Sequence, residues 1–291
     1  MGRCEAVPAS AASAGGHAPW LARLALGFER RGGRSVLVER RHVGPLAFQK
    51  PLYPEGGHVC HGILLHPPAG IAGGDELAFE IRVGAGAHVL LTTPGAGKWY
   101  RSAGPVGCLD QAIEVADGGV CEWLPQEAIV FDGACGEMRT TVELASGARF
   151  LGAEVLVFGR TGAGERFDRG RLSLSTRIRR DGRTLWLERG RVDGGGALLS
   201  SPVGLGGEPV CATLLLAADE VDRDGAALLD ACRRITAVDG EWAVSRVPGV
   251  LVARYRGPGS EAARRWLVAL WQVLRPAVLG EPARIPRIWN T

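Results

Sequence analysis

What this chain lacks narrows its function before any motif is read. No stretch of about 18 apolar residues occurs, so no membrane-spanning helix is expected. No run of five like charges appears and the formal net charge is only +3, which removes the electrostatic footprint of a nucleic-acid binder. The two short arginine clusters, Arg30-Arg31 with Arg34 and Arg177 with Arg179-Arg180, read as solvated faces beside strand turns. The first twenty residues lack the apolar stretch of a signal peptide, and the myristoylation pattern fails at Ala6. Residues 1–19 therefore read as a disordered leader. The seven cysteines form no C-x-x-C pair, so free thiols in a reducing cytoplasm are expected. Histidine is absent after His88, and neither G-x-S-x-G nor H-E-x-x-H is present, which excludes hydrolysis through a late catalytic histidine.

What is present is glycine, 43 residues of it, much of it in turn dipeptides between short β-type runs. "SVLVER", "HVLLTT", "AIVF", "TTVEL", "EVLVFGR", "LSLSTRIR", "TLWLER" and "VLVARY" are rich in Val, Ile, Leu and Thr. Several alternate with the period of two expected of half-buried strands. Glycine turns around Gly86, Gly118, Gly147 and Gly182, each followed by an outgoing strand at intervals of about 30 residues, suggest stacked solenoid-like rungs. Such stacking would place Glu127, Glu154 and Glu188 in a column, unless each is a surface residue on an edge strand. Helical patterning comes late, over Asp222 to Ile235 and from an N-cap at Ser260 to Pro276. In the second helix Trp266, Leu267, Leu270, Trp271 and Leu274 share a stripe that faces either the chain's own sheet or a partner. The fold class is mainly β: stacked, β-solenoid-like sheet layers with two helices near the C-terminus, β-rich over residues 20–215 and mixed over 216–291.

The densest set of potential ligands is His58, Cys60, His61, His66 and Asp75. Imidazole and thiolate together suit nickel, copper or zinc, although the spacing is not that of a closed structural zinc site. The histidines and Asp75 could equally shape turns. Glu127 and Asp132 could form an acid and base pair, but nothing else in the sequence supports that chemistry. "TTPGAGKWYRS" fails as a P-loop, because Trp99 follows Gly97-Lys98 and Thr92 stands where the first glycine belongs.

"YPEGGHVCH", "LLHPPAGIAGGDEL", "TTPGAGKWYRS", "LPQEAIVFDGA" and the ending "LRPAVLGEPARIPRIWNT" occur in the order seen in the urease accessory protein family UreD, also called UreH, and the chain resembles that family from about Trp20 to Thr291. It departs at Ala69, where the family usually has glycine, and at Trp99, where phenylalanine is common. The resemblance implies a single domain over residues 20–291, mainly β with late helices. It also implies a non-enzymatic cytoplasmic role, in complex with UreF and the GTPase UreG, that delivers nickel to apo-urease through an internal channel. Nickel would be in transit only, and the nucleotide would belong to the GTPase. Asp75, Glu154 and Glu188 match acidic positions of the family's motifs and are the expected conduit residues, with Cys60 and His61 as further transient contacts. The competing expectation is a stand-alone zinc metallohydrolase built on His58, Cys60, His61 and Asp75.

Overall fold

The computed structural model describes residues 19–290. The leader expected over residues 1–19 falls, apart from Pro19, outside the described residues. The chain is mainly β, with 48% of the described residues in strands, and it coils into stacked rungs. Among the described residues, sheet I has seven strands in the order Arg183–Asp193, Arg171–Arg180, Cys135–Leu144, Gly107–Val115, Glu76–Val83, Leu21–Arg31, Arg34–Val43. Sheet II has eleven among the described residues, and its main path runs Glu241–Val247, Val250–Gly257, Val210–Ala217, Arg149–Phe158, Val120–Trp123, His88–Thr92, Val59–Leu65, Ala47–Phe48.

The rungs follow from the glycine turns. Ala87 donates to Gly84, Gly119 to Ala116 and Ala148 to Ala145, closing three tight turns whose third residues are Gly86, Gly118 and Gly147. All three have positive φ, near 63°, 62° and 69°, where a side chain would be strained. Each turn carries the chain from sheet I into sheet II, and successive rungs pair in parallel with Val59, His88, Val120 and Arg149 side by side. The fourth turn does something else. Asp181 and Gly182 both have positive φ, 48° and 79°, the backbone of a primed hairpin turn. Arg183–Asp193 therefore returns antiparallel within sheet I instead of crossing to sheet II.

Strand alternation builds two cores. Residues such as Ile81, Ile113, Val89 and Phe150 fill the space between the sheets. On the other face of sheet II, Leu90, Leu151, Leu214 and Leu251 meet Trp266 and Trp271 of the Ser260–Leu274 helix. The apolar stripe of that helix is thus committed to its own sheet. Its N-cap is Gly259 rather than Ser260, and no side chain caps it. At Pro276 the chain does not stop coiling but widens into a π-helical turn over Arg275–Leu279, which accommodates the missing proline N–H. The earlier helix runs Gly225–Arg233, preceded by a separate turn at Glu220–Arg223. No helix among the described residues is long and apolar enough to cross a membrane.

Candidate functional site

Between the sheets lies a cavity of about 740 Å³. It runs across several rungs, from His66 in the first past Gln111 and Thr140 to Glu154 in the last. Toward the free edges of the sheets, its lining includes Gly190 of Arg183–Asp193, Glu241 of Glu241–Val247 and Val203, which is 98% exposed. Most of its walls are apolar side chains of the intersheet core.

Charge enters that lining through alternation. In Arg149–Phe158 the inward positions are Phe150, Gly152, Glu154, Leu156 and Phe158, so the pleat aims Glu154 at the cavity. Thr213 and Arg254 pair across the neighbouring strands and continue the row. Glu188 faces them from sheet I, and its carboxylate binds Arg254 Nη2 at 2.8 Å, tying the two sheets together. The Arg254 Nη1 also donates to Thr213 Oγ1 at 3.4 Å. Glu154 accepts no hydrogen bond among the described residues. Burial, reinforced by the Glu188 charge and only partly offset by Arg254, pushes its carboxyl up to about 7. Glu127 lines the same cavity, but it is offset by register from Glu154, since Ala128 pairs with Leu156. The expected column is therefore one cavity with carboxylates on different walls.

The other residues nominated by sequence lie apart. Asp75 is buried, and its two carboxylate oxygens accept the backbone N–H groups of Trp20 and Ala72, each at 2.9 Å. That is the work of a turn anchor. Cys60 points into the intersheet core beside Tyr53, where burial pushes its thiol up to about 11 and disfavours the thiolate. His61 points to the opposite face of the same strand and bonds Glu55 at 2.5 Å. His58 sits in a turn and meets Glu281 at 2.9 Å. His58, Cys60, His61 and Asp75 therefore do not converge, and no group of three His, Cys, Asp or Glu side chains among the described residues is arranged to hold a metal. The stand-alone zinc site fails on this geometry. Asp132 accepts from the backbone of Asp168 and Arg169 and from the Arg169 guanidinium, and is not paired with Glu127.

A second ionic cluster was not foreseen. His61, Leu90 and Glu122 pair across three strands on the helix-facing side of sheet II. Into this row comes Arg275, fully buried, from the π-helical turn. Its Nε donates to both oxygens of Glu122 at 3.1 and 3.0 Å, and its two Nη atoms bind Glu55 at 2.6 and 3.0 Å. The same guanidinium reaches the Pro282 carbonyl. His88 and the Trp271 indole N–H complete Glu122, at 2.7 and 2.6 Å. Burial alone would raise the Glu55 carboxyl, but His61 and Arg275 hold it down to about 2. Glu122 is likewise held below the usual carboxylate range, mainly by His88 and Arg275 acting against its burial. With every oxygen of both carboxylates occupied, this cluster is closed to a ligand. One signal in the sequence pointed to it: a glutamate inside the otherwise apolar strand "VCEW". Arg254 carried a similar signal, standing third on the inward face of "VLVARY" after Val250 and Val252.

A family model described as "UreD urease accessory protein" matches residues 21–290. The chain is 63% identical over 272 residues to the urease accessory protein UreD of Azoarcus sp. (strain BH72), covering 94% of each chain. It is 55% identical to the protein of the same name from Dechloromonas aromatica (strain RCB), over 94% of this chain and 96% of that one. With the Pseudomonas aeruginosa PAO1 protein of that name it shares 49% identity, again over 94% and 96%.

Proposed function

The chain belongs to the UreD family of urease accessory proteins, and from that premise we propose that it is a scaffold and nickel conduit in the assembly of the urease metallocentre. It would work in the cytoplasm with UreF, the GTPase UreG and apo-urease, and would turn over no substrate and hold no nucleotide itself.

The observation that carries this reading is the intersheet cavity, with Glu154 and Glu188 on its walls near one end. A transfer site needs oxygen ligands favourable enough to admit a hydrated cation and loose enough to release it. Glu154 fits that requirement because no hydrogen bond holds its carboxylate. The Arg275 cluster does not, because its oxygens are saturated. Nickel is cargo in this scheme, so tight stoichiometric binding by the chain alone is not required. Asp75 contributes through the Trp20 and Ala72 amides, by shaping the turn near His66 at the cavity's first rung.

The test is nickel-dependent urease activation in cells carrying the complete accessory set, comparing Glu154→Ala and Glu188→Ala with the parent chain. A pull-down checks that the complex still assembles. Activation that falls with assembly intact supports the conduit. Unchanged activation leaves this chain as scaffold alone.

A further inference from the structure

The Glu188–Arg254 pair is more than a third accessible to solvent, so it adds little stability that the fold would miss. A guanidinium beside a cation path repels the cation, so its presence there calls for another role. Its placement suggests a use for the repulsion. Arg254 stands in the same cross-strand row as Glu154 and Thr213, and reaches over the gap between the sheets to Glu188. Its side chain is 43% accessible and that of Glu188 37%, so the pair sits at the cavity's rim, where a side chain can swing. Its guanidinium lies 5.8 Å from the centre of the Trp186 ring, an aromatic face on which a displaced guanidinium can rest.

We propose that Arg254 is the displaceable counter-ion of this cavity: an incoming divalent cation takes the guanidinium's place beside Glu154 and Glu188, and the returning guanidinium expels it. The inference rests on the conduit reading and adds the element that makes release as easy as entry. While the site is empty, Arg254 compensates Glu188 and lends partial compensation to Glu154. While the site is filled, the guanidinium's repulsion keeps residence short. The positive charge is the working part, so lysine substitutes for arginine and glutamine does not.

Full-length chain is titrated with Ni²⁺ alone by calorimetry, and the same variants are assayed for urease activation with the whole accessory set. Removing one positive charge a few ångströms from a divalent ion in a partly screened site corresponds to about a tenfold gain in affinity. Arg254→Gln is therefore expected to bind Ni²⁺ about tenfold more tightly while delivering less of it, and Arg254→Lys to restore both. A merely structural arginine gives the opposite sign, because losing it loosens the site. Nickel affinity of Arg254→Gln within twofold of the parent, or reduced, overturns the proposal. Should that variant fold poorly by circular dichroism, Arg254→Lys decides: affinity and delivery near the parent support the role of charge, and loss of both overturns it. The double variant Glu154→Gln with Glu188→Gln separates the two levels. If it abolishes nickel binding and activation while Arg254→Gln changes neither, the conduit stands and the counter-ion role falls. If the double variant changes nothing, the conduit reading itself falls.

Discussion

Arg275→Met should be among the most damaging single changes in the protein, and the structure gives its size. The arginine is fully buried and is the only guanidinium bonded to either Glu55 or Glu122 among the described residues. Methionine fills most of its volume but leaves two buried carboxylates with imidazole and indole partners only. Removing one member of a buried ionic network costs about 3–5 kcal/mol, a large share of the 5–15 kcal/mol typical of a folded domain. For a chain of this size that lowers the thermal midpoint by about 10 °C. The pH dependence follows from the shifts. Both carboxyls have folded pKa values below their unfolded ones, Glu55 near 2, so the stability they lend is complete above the unfolded value. It is lost only as pH falls through the folded value. In Arg275→Met the carboxyls can be neutralised by protons instead, so the deficit should be large at pH 8 and shrink toward pH 5. Urea unfolding followed by tryptophan fluorescence, with Trp271 inside the cluster, measures both. A loss below about 1 kcal/mol at pH 8, or a loss independent of pH, would refute the reasoning.

Three further outcomes are expected. Ala69 holds a left-handed φ of 60°, which costs a non-glycine residue about 1–2 kcal/mol, while glycine gives back about 0.4–1 kcal/mol in unfolded-state entropy. Ala69→Gly should therefore raise stability by about 0.5–1 kcal/mol, read as a higher urea midpoint. Gly170 has φ 93°, and a Cβ there would lie 2.1 Å from the Ala134 carbonyl oxygen, so Gly170→Ala should destabilise by more than about 3 kcal/mol and show as loss of soluble protein or a collapsed thermal midpoint. Glu154 has a folded pKa near 7, above its unfolded value, so the parent loses stability through this group as pH rises from about 4.5 to 7. Glu154→Gln should match the parent at pH 4.5 and exceed it by about 2 kcal/mol at pH 8, the full linkage being reduced because the cavity admits water.

The rung architecture was legible because its causes are local. Gly86, Gly118 and Gly147 each need a positive φ, and the strands between them alternate with period two. The fourth glycine misled because its conformation depends on Asp181 as well, and two left-handed residues in succession make a hairpin rather than a crossing. The carboxylates were legible as a set but not in their arrangement. Glu127 sits in the loop just before Ala128–Val130, a strand that neighbours the Glu154 strand in one sheet, whereas Glu188 arrives from the edge of the other, and only the tertiary fold brings Glu188 to Arg254. Nothing local could pair Glu122 with Arg275 across 153 positions. Cys60 and His61 are candidates through the family resemblance, while the alternation of a strand already puts them on opposite faces, as the structure has them.

Glu122 and Glu154 both belong to sheet II, on strands that pair directly, with Glu122 opposite Leu151. They point to opposite faces, and this decides their chemistry. Glu122 faces the helix layer, where His88, Trp271 and Arg275 use all its acceptor capacity and leave it ionised. Glu154 faces the cavity, where no described side chain hydrogen-bonds its carboxylate and burial disfavours its charge. The closed cluster fixes the helix and the segment around Pro282 to the sheet. That rigidity is what allows the inner face to carry an unsatisfied carboxylate without rearranging to satisfy it. If this coupling holds, Arg275→Met should impair nickel delivery even at temperatures where the variant stays folded, because a loosened sheet lets Glu154 find protein partners. Activation measured well below the variant's midpoint checks it: full activity there would show that the two faces are independent.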